Sequence, residues 1–495
     1  MYKTYLYITI GLLFTRILTA LLIQYSYEFL TVVPTMQNNI EFDLDLIKRY
    51  DLSGPRYTSY PTAVQFNHHF TESDYLAAMA ASNQAHRPLS LYFHVPFCAH
   101  VCYYCACNKI ITANRKRAAP YLAHLHQEIA LQAAHVDKSR VVTQLHWGGG
   151  TPTFISDDEM SDLMDCTRQH FNLLEDDTGD YSIEIDPREV TVAKIGHLRK
   201  LGFNRMSFGV QDFDPLVQQA VNRVQSFSQT YEAVMAARDN GYHSINVDLI
   251  YGLPHQSVAS FAQTLEKVLE LSPDRLSVFN YAHLPDLFKV QKQIDEQYLP
   301  NAATKLAIFQ LIIERLIAAG YVYIGMDHFA KPDNELTIAQ QQGSLYRNFQ
   351  GYSTHAECDL IGLGITSIGM VNDTYSQNLK TLEAYGEHIE QGHLAVYRGV
   401  ALTVDDNIRR SVITQLICHF ELDFAAIEQQ YAINFKDYFA YELNTLQGMV
   451  SDGLITLNEQ KITVLARGRL LIRNVCMVFD WHLRQSQQKK FSKVI

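Results

Sequence analysis

The chain has 495 residues, of which 47% are hydrophobic and 19% are charged, and this ordinary globular composition excludes a largely disordered protein. A formal net charge of −11 and the lack of a long Lys/Arg run exclude an extended basic surface, so we expect no nucleic-acid partner. Eight cysteines in a chain of this length do not indicate a disulfide scaffold, and the length itself predicts two or three domains.

Residues 1–35 form an apolar extension. The stretch 5–23 is apolar apart from Arg16 and a few threonines, which makes it almost long enough to span a bilayer. An arginine near the centre of a span costs about 2.5–3.5 kcal/mol, and export would place clustered cysteines in an oxidising space. The composition turns polar at Met36, and we favour a translation start there. We therefore expect a cytoplasmic protein without a membrane partner.

From residue 89 onward, short β-rich runs alternate with longer helical patterns. Strands are predicted at 89–95, 143–147, 181–185, 205–210, 244–250 and 275–281. Helices are predicted at 120–134, 157–171, 192–201, 228–240, 258–271 and 302–320, and several of them stop at a glycine. Because parallel strands need such crossover helices, the pattern predicts an α/β fold with a parallel sheet.

Glycine and polar residues recur at the carboxyl ends of these predicted strands. They are Cys98, Gly148-Gly149-Gly150, Glu184, Gln211, Asp248 and Tyr281. Active sites of β/α barrels are built from such ends, whereas an open doubly wound sheet concentrates its site at one switch point. The sequence therefore predicts a partial or complete parallel β/α barrel over 89–373.

Two further segments flank the predicted barrel. Residues 36–88 are expected to lie over the site. Residues 374–495 are predicted to form a helical C-terminal domain with a short strand pair near 454–464, similar to a winged helix. Since this segment lacks a basic stripe, we interpret it as a lid or packing domain.

Cys98, Cys102, Cys105 and Cys107 fall within ten residues, directly after the first predicted strand. The CxxxCxxC spacing of the first three is the signature of the radical S-adenosylmethionine superfamily, in which three ligands leave one iron of a cubic cluster open. Structural zinc is the alternative, but it usually needs a second close pair of ligands, and the chain has no second CxxC or CxxH. Cys107 remains a possible fourth ligand, although its closeness to Cys105 fits poorly with one cube.

Two other strand ends offer cofactor contacts. The glycines at 148–150 let a backbone approach a ligand closely, which suits the methionine end of the cofactor. Glu184 could accept hydrogen bonds from ribose hydroxyls, or it could be a paired charge inside the barrel.

From residue 43 to 495 the sequence resembles the oxygen-independent coproporphyrinogen III oxidases, radical S-adenosylmethionine enzymes of haem biosynthesis. The resemblance rests on blocks in both predicted domains. They are GPRYTSYPT at 54–62, the cysteine segment 92–107, LHWGGGTPT at 145–153, GFNR at 202–205, GVQDF at 209–213, DLIYGLP at 248–254, SVFNYAHLP at 277–285, GMDHF at 325–329 and RLLIRN at 469–474.

The resemblance implies a ligand set that the spacing alone leaves open. It assigns a 4Fe-4S cluster to Cys98, Cys102 and Cys105 and excludes Cys107. It places S-adenosylmethionine on Tyr92, Tyr104, Gly149, Gly150, Thr151, Glu184, Gln211, Arg223, Asp248, Ala282 and Ile368. Position 104 is often phenylalanine in the family, so only an aromatic or backbone role carries over. The family's usual start falls close to Met36.

The resemblance also implies an activity: oxidative decarboxylation of two propionates of coproporphyrinogen III to vinyl groups, through a 5′-deoxyadenosyl radical. A low-potential donor such as flavodoxin or ferredoxin would supply electrons, and we expect a monomer. Because the substrate carries four propionates and the chain is acidic, local cations are needed, and Arg56 is a candidate.

Two alternatives to this activity stay open. One is a haem chaperone of the same superfamily, whose members typically lack a cysteine at the position of Cys107 and carry a His-Asn-x-x-Tyr-Trp segment. That segment is not in the chain. The other is a zinc-stapled binding protein without catalysis.

Overall fold

The computed structural model describes residues 40–485. The predicted extension at 1–35 and the predicted start at Met36 lie outside the described residues. Across the described range, none of the helices has both the length and the apolar character needed to cross a membrane.

The strands of the described residues are numbered in chain order. They are β1 (Leu89–Val95), β2 (Phe97–Cys98), β3 (Ile110–Ile111), β4 (Val141–Gly149), β5 (Asn172–Leu173), β6 (Asp180–Ile185), β7 (Arg205–Gln211), β8 (Ser244–Tyr251), β9 (Arg275–Asn280), β10 (Val322–Gly325), β11 (His328–Ala330), β12 (Tyr346–Asn348), β13 (Gly351–Ser353), β14 (Asp359–Leu363), β15 (Ile368–Val371), β16 (Thr374–Asn378), β17 (Val396–Ala401), β18 (Glu421–Asp423), β19 (Ile455–Leu457) and β20 (Lys461–Val464).

The helices cover the outside of the sheet and build the C-terminal region. The α-helices span Leu44–Arg49, Glu72–Gln84, Ala118–Ala133, Asp157–His170, Val192–Lys200, Pro215–Ala220, Phe227–Asp239, Val258–Leu271, Ala302–Ala318, Glu335–Gln342, Leu382–Glu390, Val404–His419, Phe424–Tyr431, Phe435–Tyr438, Ala440–Thr445, Gln447–Ser451, Ile472–Val478 and Trp481–Gln485. Local sequence explains their starts: Ser156 and Glu159, for example, form a capping box at the helix Asp157–His170.

Six strands lie side by side in the main sheet, in the order β9-β8-β7-β6-β4-β1. Every neighbouring pair among them is parallel. These are the six strands predicted from the sequence, and each predicted boundary lies within two residues of the observed one. The parallel α/β fold is therefore confirmed.

The sheet extends at both ends and does not close. Beyond β1 it continues through β14, which is parallel to β1, and then through antiparallel β15, β16 and β17. Beyond β9 it continues through antiparallel β11 and β10. Because the strand path of the described residues runs from β10 to β17 without a closing pair, the barrel is partial.

Side chains along the parallel strands alternate between the hydrophobic core outside the barrel and the barrel interior, here called the lumen. Leu91, Phe93, Leu145 and Trp147 are fully buried in the main hydrophobic core, which also takes in the apolar faces of the helices. The residues between them point the other way, into the barrel. This interior is polar, with side chains from β4, β6, β7, β8 and β9 along its wall.

The C-terminal region contains the predicted strand pair as β19 and β20, which are antiparallel, and β18 adds a third strand. Strands β16 and β17 lie inside the segment predicted to be helix-rich, but they belong to the main sheet, which ends at Ala401. After that residue the described chain is mostly helical, with β18, β19 and β20 as its strands.

Candidate active site

The cysteine loop starts at the end of the short strand β2, where Cys98 is paired in register with Ile111 of β3. Cys98, Cys102 and Cys105 all line one cleft of about 230 Å³ at the carboxyl ends of β4, β6, β7 and β8. Burial raises the pKa of the Cys98 thiol to about 11, and the charges of Cys105 and Cys102 act in the same direction. The three thiols therefore share one partly buried cleft.

Two arginines point at Cys102 from the opposite wall. Arg188 Nη2 and Arg223 Nη1 each lie 3.5 Å from Cys102 Sγ. Asp186 Oδ2 accepts hydrogen bonds from Arg188 Nη2 at 2.7 Å and from Arg223 Nη1 at 3.0 Å. Burial acts to raise the pKa of Asp186, but the two arginines outweigh it and lower that pKa to about 2. Two guanidinium groups and one carboxylate therefore face the Cys102 sulfur atom.

The glycines after β4 bring a second backbone against the cysteine segment. Gly150 N donates to Val95 O at 2.8 Å. A Cβ added at Gly150 would lie 2.7 Å from the backbone atoms of Pro96 and Phe97, and one at Gly149 would lie 2.8 Å from the His94 ring. Gly149 also has a φ of 116°, which favours glycine. Only residues without a Cβ let these two loops share one cleft.

Glu184 and Gln211 reach the cleft from the next two strands. Glu184 Oε2 accepts from Gly149 N at 3.1 Å, and its side chain is 45% exposed because it faces the open cleft. Burial acts to raise the pKa of Glu184, but hydrogen bonds from His146 and Gly149 outweigh it and lower that pKa. Gln211 has a φ of 69° at a register shift in β7, a bulge that turns its side chain toward the cleft.

Asp248 connects the cleft to the barrel lumen. It lines both the cleft and a second cavity of about 200 Å³ that runs inside the sheet, as do Glu184 and Ser207. Its carboxylate accepts from Asn246 at 2.8 Å and from Ser207 at 3.1 Å. Burial raises the pKa of Asp248 to about 6.

The cleft brings together eight of the eleven residues predicted for S-adenosylmethionine. They are Tyr104, Gly149, Gly150, Thr151, Glu184, Gln211, Arg223 and Asp248. The other three, Tyr92, Ala282 and Ile368, are not in its lining. Tyr92 stacks on His146, and Tyr92 and Ile368 both pack against one small hydrophobic cluster. The Gln291 amide donates to the carbonyl oxygens of both Ala282 and Tyr104.

Sequence reasoning missed the Asp186–Arg188 pair and Lys109. Lys109 Nζ donates to Cys105 O at 2.9 Å. Asp186 directly follows a predicted strand, so its position could have indicated a site residue. Nothing in the sequence around Arg188 or Lys109 indicates that these residues reach the cleft. Cys107 also lines the cleft, and its hydrogen bond to Cys105 is the main reason why the pKa of Cys105 falls to about 6.

The residues present fit an iron–sulfur cluster with an adjoining organic ligand. Three thiols from one loop converge in one cleft, and cationic side chains face them. Sulfur-only donors suit such clusters or zinc. The cleft continues beside the thiols, between Gly149, Gly150 and the carboxylates of Glu184 and Asp248. A closed structural zinc site does not need such additional space.

Comparisons with known proteins agree with this geometry. The model of the Radical SAM superfamily matches residues 92–268, and the model of the HemN C-terminal domain matches residues 402–471. The oxygen-independent coproporphyrinogen III oxidase of Pseudomonas aeruginosa is 54% identical over 93% of this chain and 100% of its own length. The enzyme of that name from Escherichia coli is 50% identical over 92% of this chain and 99% of its own length.

A solved structure supports the same relationship. The structure described as coproporphyrinogen III oxidase (HemN) from Escherichia coli, a radical SAM enzyme, superimposes with a TM-score of 0.86 at 50% identity. The superposition covers 90% of this chain and 100% of that one.

Proposed function

The chain belongs to the family of oxygen-independent coproporphyrinogen III oxidases, and from this we propose that it converts coproporphyrinogen III to protoporphyrinogen IX. The reaction is the oxidative decarboxylation of two propionate side chains to vinyl groups, a step of haem biosynthesis. The main support for the proposal is that one cleft is lined by three cysteines, two glycines and a glutamate: Cys98, Cys102, Cys105, Gly149, Gly150 and Glu184.

Cys98, Cys102 and Cys105 would hold a 4Fe-4S cluster, and S-adenosylmethionine would lie against the glycines, Glu184 and the other residues predicted for it. Together the two groups would supply the radical chemistry that the decarboxylation of a propionate needs. The protein holds the reacting carbon close to that site and keeps water away.

The residues around the thiols have distinct roles in this proposal. Arg188 and Arg223 place guanidinium groups against the Cys102 sulfur atom, and Asp186 keeps both groups in place. Glu184 has oxygen atoms facing the cleft that can accept hydrogen bonds from ribose hydroxyls. Arg56, whose side chain is 34% exposed, remains a candidate for a propionate although it already pairs with Asp327 at 2.8 Å.

The remaining partners follow from the reaction. A low-potential donor such as flavodoxin or ferredoxin would supply the electrons, and the enzyme would work as a cytoplasmic monomer without nucleic acid. The net charge of −11 supports the last point, because a nucleic-acid surface needs a basic patch.

An anaerobic assay tests the proposal. Reconstituted protein is given S-adenosylmethionine, a strong reductant, coproporphyrinogen III and a cell extract as electron acceptor, with Cys102→Ser as the control. We expect protoporphyrinogen IX and 5′-deoxyadenosine from the wild type and neither from the variant. Deoxyadenosine without porphyrin product would reject the substrate, and a fully loaded cluster that yields neither product would favour a haem chaperone.

A further inference from the structure

The turn between β13 and β14, residues 354–358, carries three side chains of the types that bind transition metals. His355, Glu357 and Cys358 each present a ligand atom, and these atoms lie within 4.8 Å of one another. His355 Nδ1 is 3.6 Å from Glu357 Oε1, and Cys358 Sγ is 3.9 Å from the same oxygen. The first distance is too long for a normal hydrogen bond, so the imidazole and the carboxylate face each other without a close contact.

These separations are close to those between the ligands of one zinc ion. Zinc binds nitrogen and oxygen at about 2.0–2.2 Å and sulfur at about 2.3 Å, which places two tetrahedral ligands about 3.3–3.7 Å apart. The Glu357 side chain is 56% exposed, so it can close both distances without a change in the core. The same exposure gives an ion a path from solvent to His355 and to the buried Cys358 thiol.

Backbone contacts hold the turn in place. His355 N donates to Ser353 Oγ at 3.1 Å. Arg87 Nε donates to Glu357 O at 3.1 Å. Directly after Cys358 the chain enters β14, which pairs with β1. The three side chains are therefore brought together by the fold itself, which lowers the entropic cost of binding an ion.

The groups around the turn resemble the second shell of a metal site. Asp180 Oδ2 lies 3.9 Å from His355 Nε2, and a carboxylate that faces the second ring nitrogen is a usual companion of a metal-bound histidine. Thr143 Oγ1 lies 3.1 Å from Cys358 Sγ and can donate to a thiolate there. His355 and Cys358 also line a cavity of about 10 Å³, which is about the space that one water molecule needs.

The turn lies at the end of the sheet opposite to the cofactor cleft. Thr143 is near the start of β4, and Asp180 and Asp359 are the first residues of β6 and β14. The cleft is formed at the carboxyl ends of parallel strands that include β4 and β6. An ion bound in the turn would therefore be separate from the cluster.

We propose that His355, Glu357 and Cys358 bind one Zn²⁺ ion, with water as a fourth ligand. The mixture of nitrogen, oxygen and sulfur donors favours zinc over Mg²⁺ and Ca²⁺, which prefer oxygen ligands alone. The ion would fix the turn at the amino end of the sheet and stabilise the folded chain. This second metal site does not depend on the proposed function.

Zinc binding to the full chain tests the proposal. The protein carries a fully loaded iron–sulfur cluster under anaerobic conditions, so that the cluster cysteines are not available to zinc. The wild type, Cys358→Ser, Glu357→Gln and the control Cys166→Ser are titrated with Zn²⁺ in competition with a chelator. Cys166 is a half-buried free cysteine on the helix Asp157–His170. Zinc per chain, the X-ray absorption spectrum at the zinc edge and the urea midpoint with and without Zn²⁺ are then measured.

We expect one zinc per chain in the wild type and in Cys166→Ser, with one sulfur atom and otherwise nitrogen and oxygen around the ion. Cys358→Ser and Glu357→Gln should each weaken zinc binding at least about tenfold, because even second-shell changes cost about 10–100-fold. Zinc should raise the urea midpoint in the wild type and the control, and much less in these two variants.

Three results would overturn the proposal: a wild type that retains no zinc, equal zinc affinity in all four proteins, or a spectrum with three or more sulfur neighbours. The last result would place the ion on the cluster cysteines. If Cys358→Ser does not fold, the exposed position of Glu357 makes Glu357→Gln the deciding variant, and wild-type zinc affinity in it would refute the site. None of these measurements uses product formation, so a failure of the proposed function leaves their outcome unchanged.

Discussion

Cys107 lies two residues from Cys105 and lines the same cleft. An experiment is therefore needed to tell which cysteines bind the cluster. If three cysteines bind the cluster, Cys107→Ser should keep full iron and sulfide content, whereas Cys105→Ser should lose most of both. Product formation should follow the iron content. The measurement is iron and acid-labile sulfide per chain after anaerobic reconstitution, and equal losses in the two variants would contradict a three-cysteine site.

Asp186 holds two arginines at Cys102, and its carboxylate is ionised at neutral pH because its pKa is about 2. Replacement by Asn leaves both buried guanidinium groups without their partner. We expect the apoprotein of Asp186→Asn to lose about 3–5 kcal/mol of unfolding free energy at pH 7, measured by urea unfolding.

The pH dependence of this loss has a defined sign. A carboxyl whose pKa is lowered on folding contributes stability above its unfolded value, and that stability disappears as the pH falls toward 2. The difference in unfolding free energy between the wild type and Asp186→Asn should therefore become smaller by about 2 kcal/mol below pH 4. The control is Asp373→Asn. Asp373 pairs with Arg410 but is 51% exposed, so this change should cost about 0–1 kcal/mol of unfolding free energy at either pH. A gap that does not narrow in acid would refute this role of Asp186.

At the scale of elements, the glycine loop after β4 and the cysteine segment after β1 depend on each other. A methyl group at Gly150 would overlap the backbone of Pro96 and Phe97, which cannot move as a flexible side chain can. We expect Gly150→Ala to weaken S-adenosylmethionine binding at least tenfold, measured by equilibrium dialysis, because the two loops separate.

A second glycine provides the control for that change. Gly448 lies in a helix with nothing within 4 Å of an added Cβ, so Gly448→Ala should bind the cofactor normally and gain a few tenths to about 1 kcal/mol of stability. Normal cofactor binding by Gly150→Ala would show that the loops do not need this close approach.

The parallel strands were predictable because each is a buried run followed by a long crossover helix, a pattern visible in the sequence alone. The strands that extend the sheet at its two ends were not. β14 is buried at all five positions and shows no alternation, and β11 has three residues, so their pairing depends on contacts far apart in the chain. In the site, residues at strand ends were predictable, whereas Arg188 lies in a turn and meets Cys102 only after folding.

At the scale of the whole molecule, the C-terminal region holds the N-terminal segment in place. Tyr57 donates to Asp480 at 2.9 Å, and Asn474 Nδ2 donates to Tyr50 O at 2.9 Å. Arg473 donates to the carbonyls of Gly54 and Pro55. These bonds fix the backbone just before Arg56, which pairs with Asp327 in the turn between β10 and β11. The C-terminal region therefore positions the segment that carries Arg56.

Arg473 should be the main link in this arrangement, because it is 4% exposed and its hydrogen bonds are charge-assisted. We expect Arg473→Gln to lose about 2–3 kcal/mol of unfolding free energy and to be cleaved faster by protease around residues 50–60. The variant should also have a higher KM for coproporphyrinogen III, while its formation of deoxyadenosine stays normal. Arg467 also joins the two ends of the chain, through Glu41 at 2.7 Å, but both side chains are about half exposed. Arg467→Gln should therefore cost about 0–1 kcal/mol and leave proteolysis and KM unchanged. If the two variants behave alike, the N-terminal segment is held by other contacts, and the C-terminal region has no role in substrate binding.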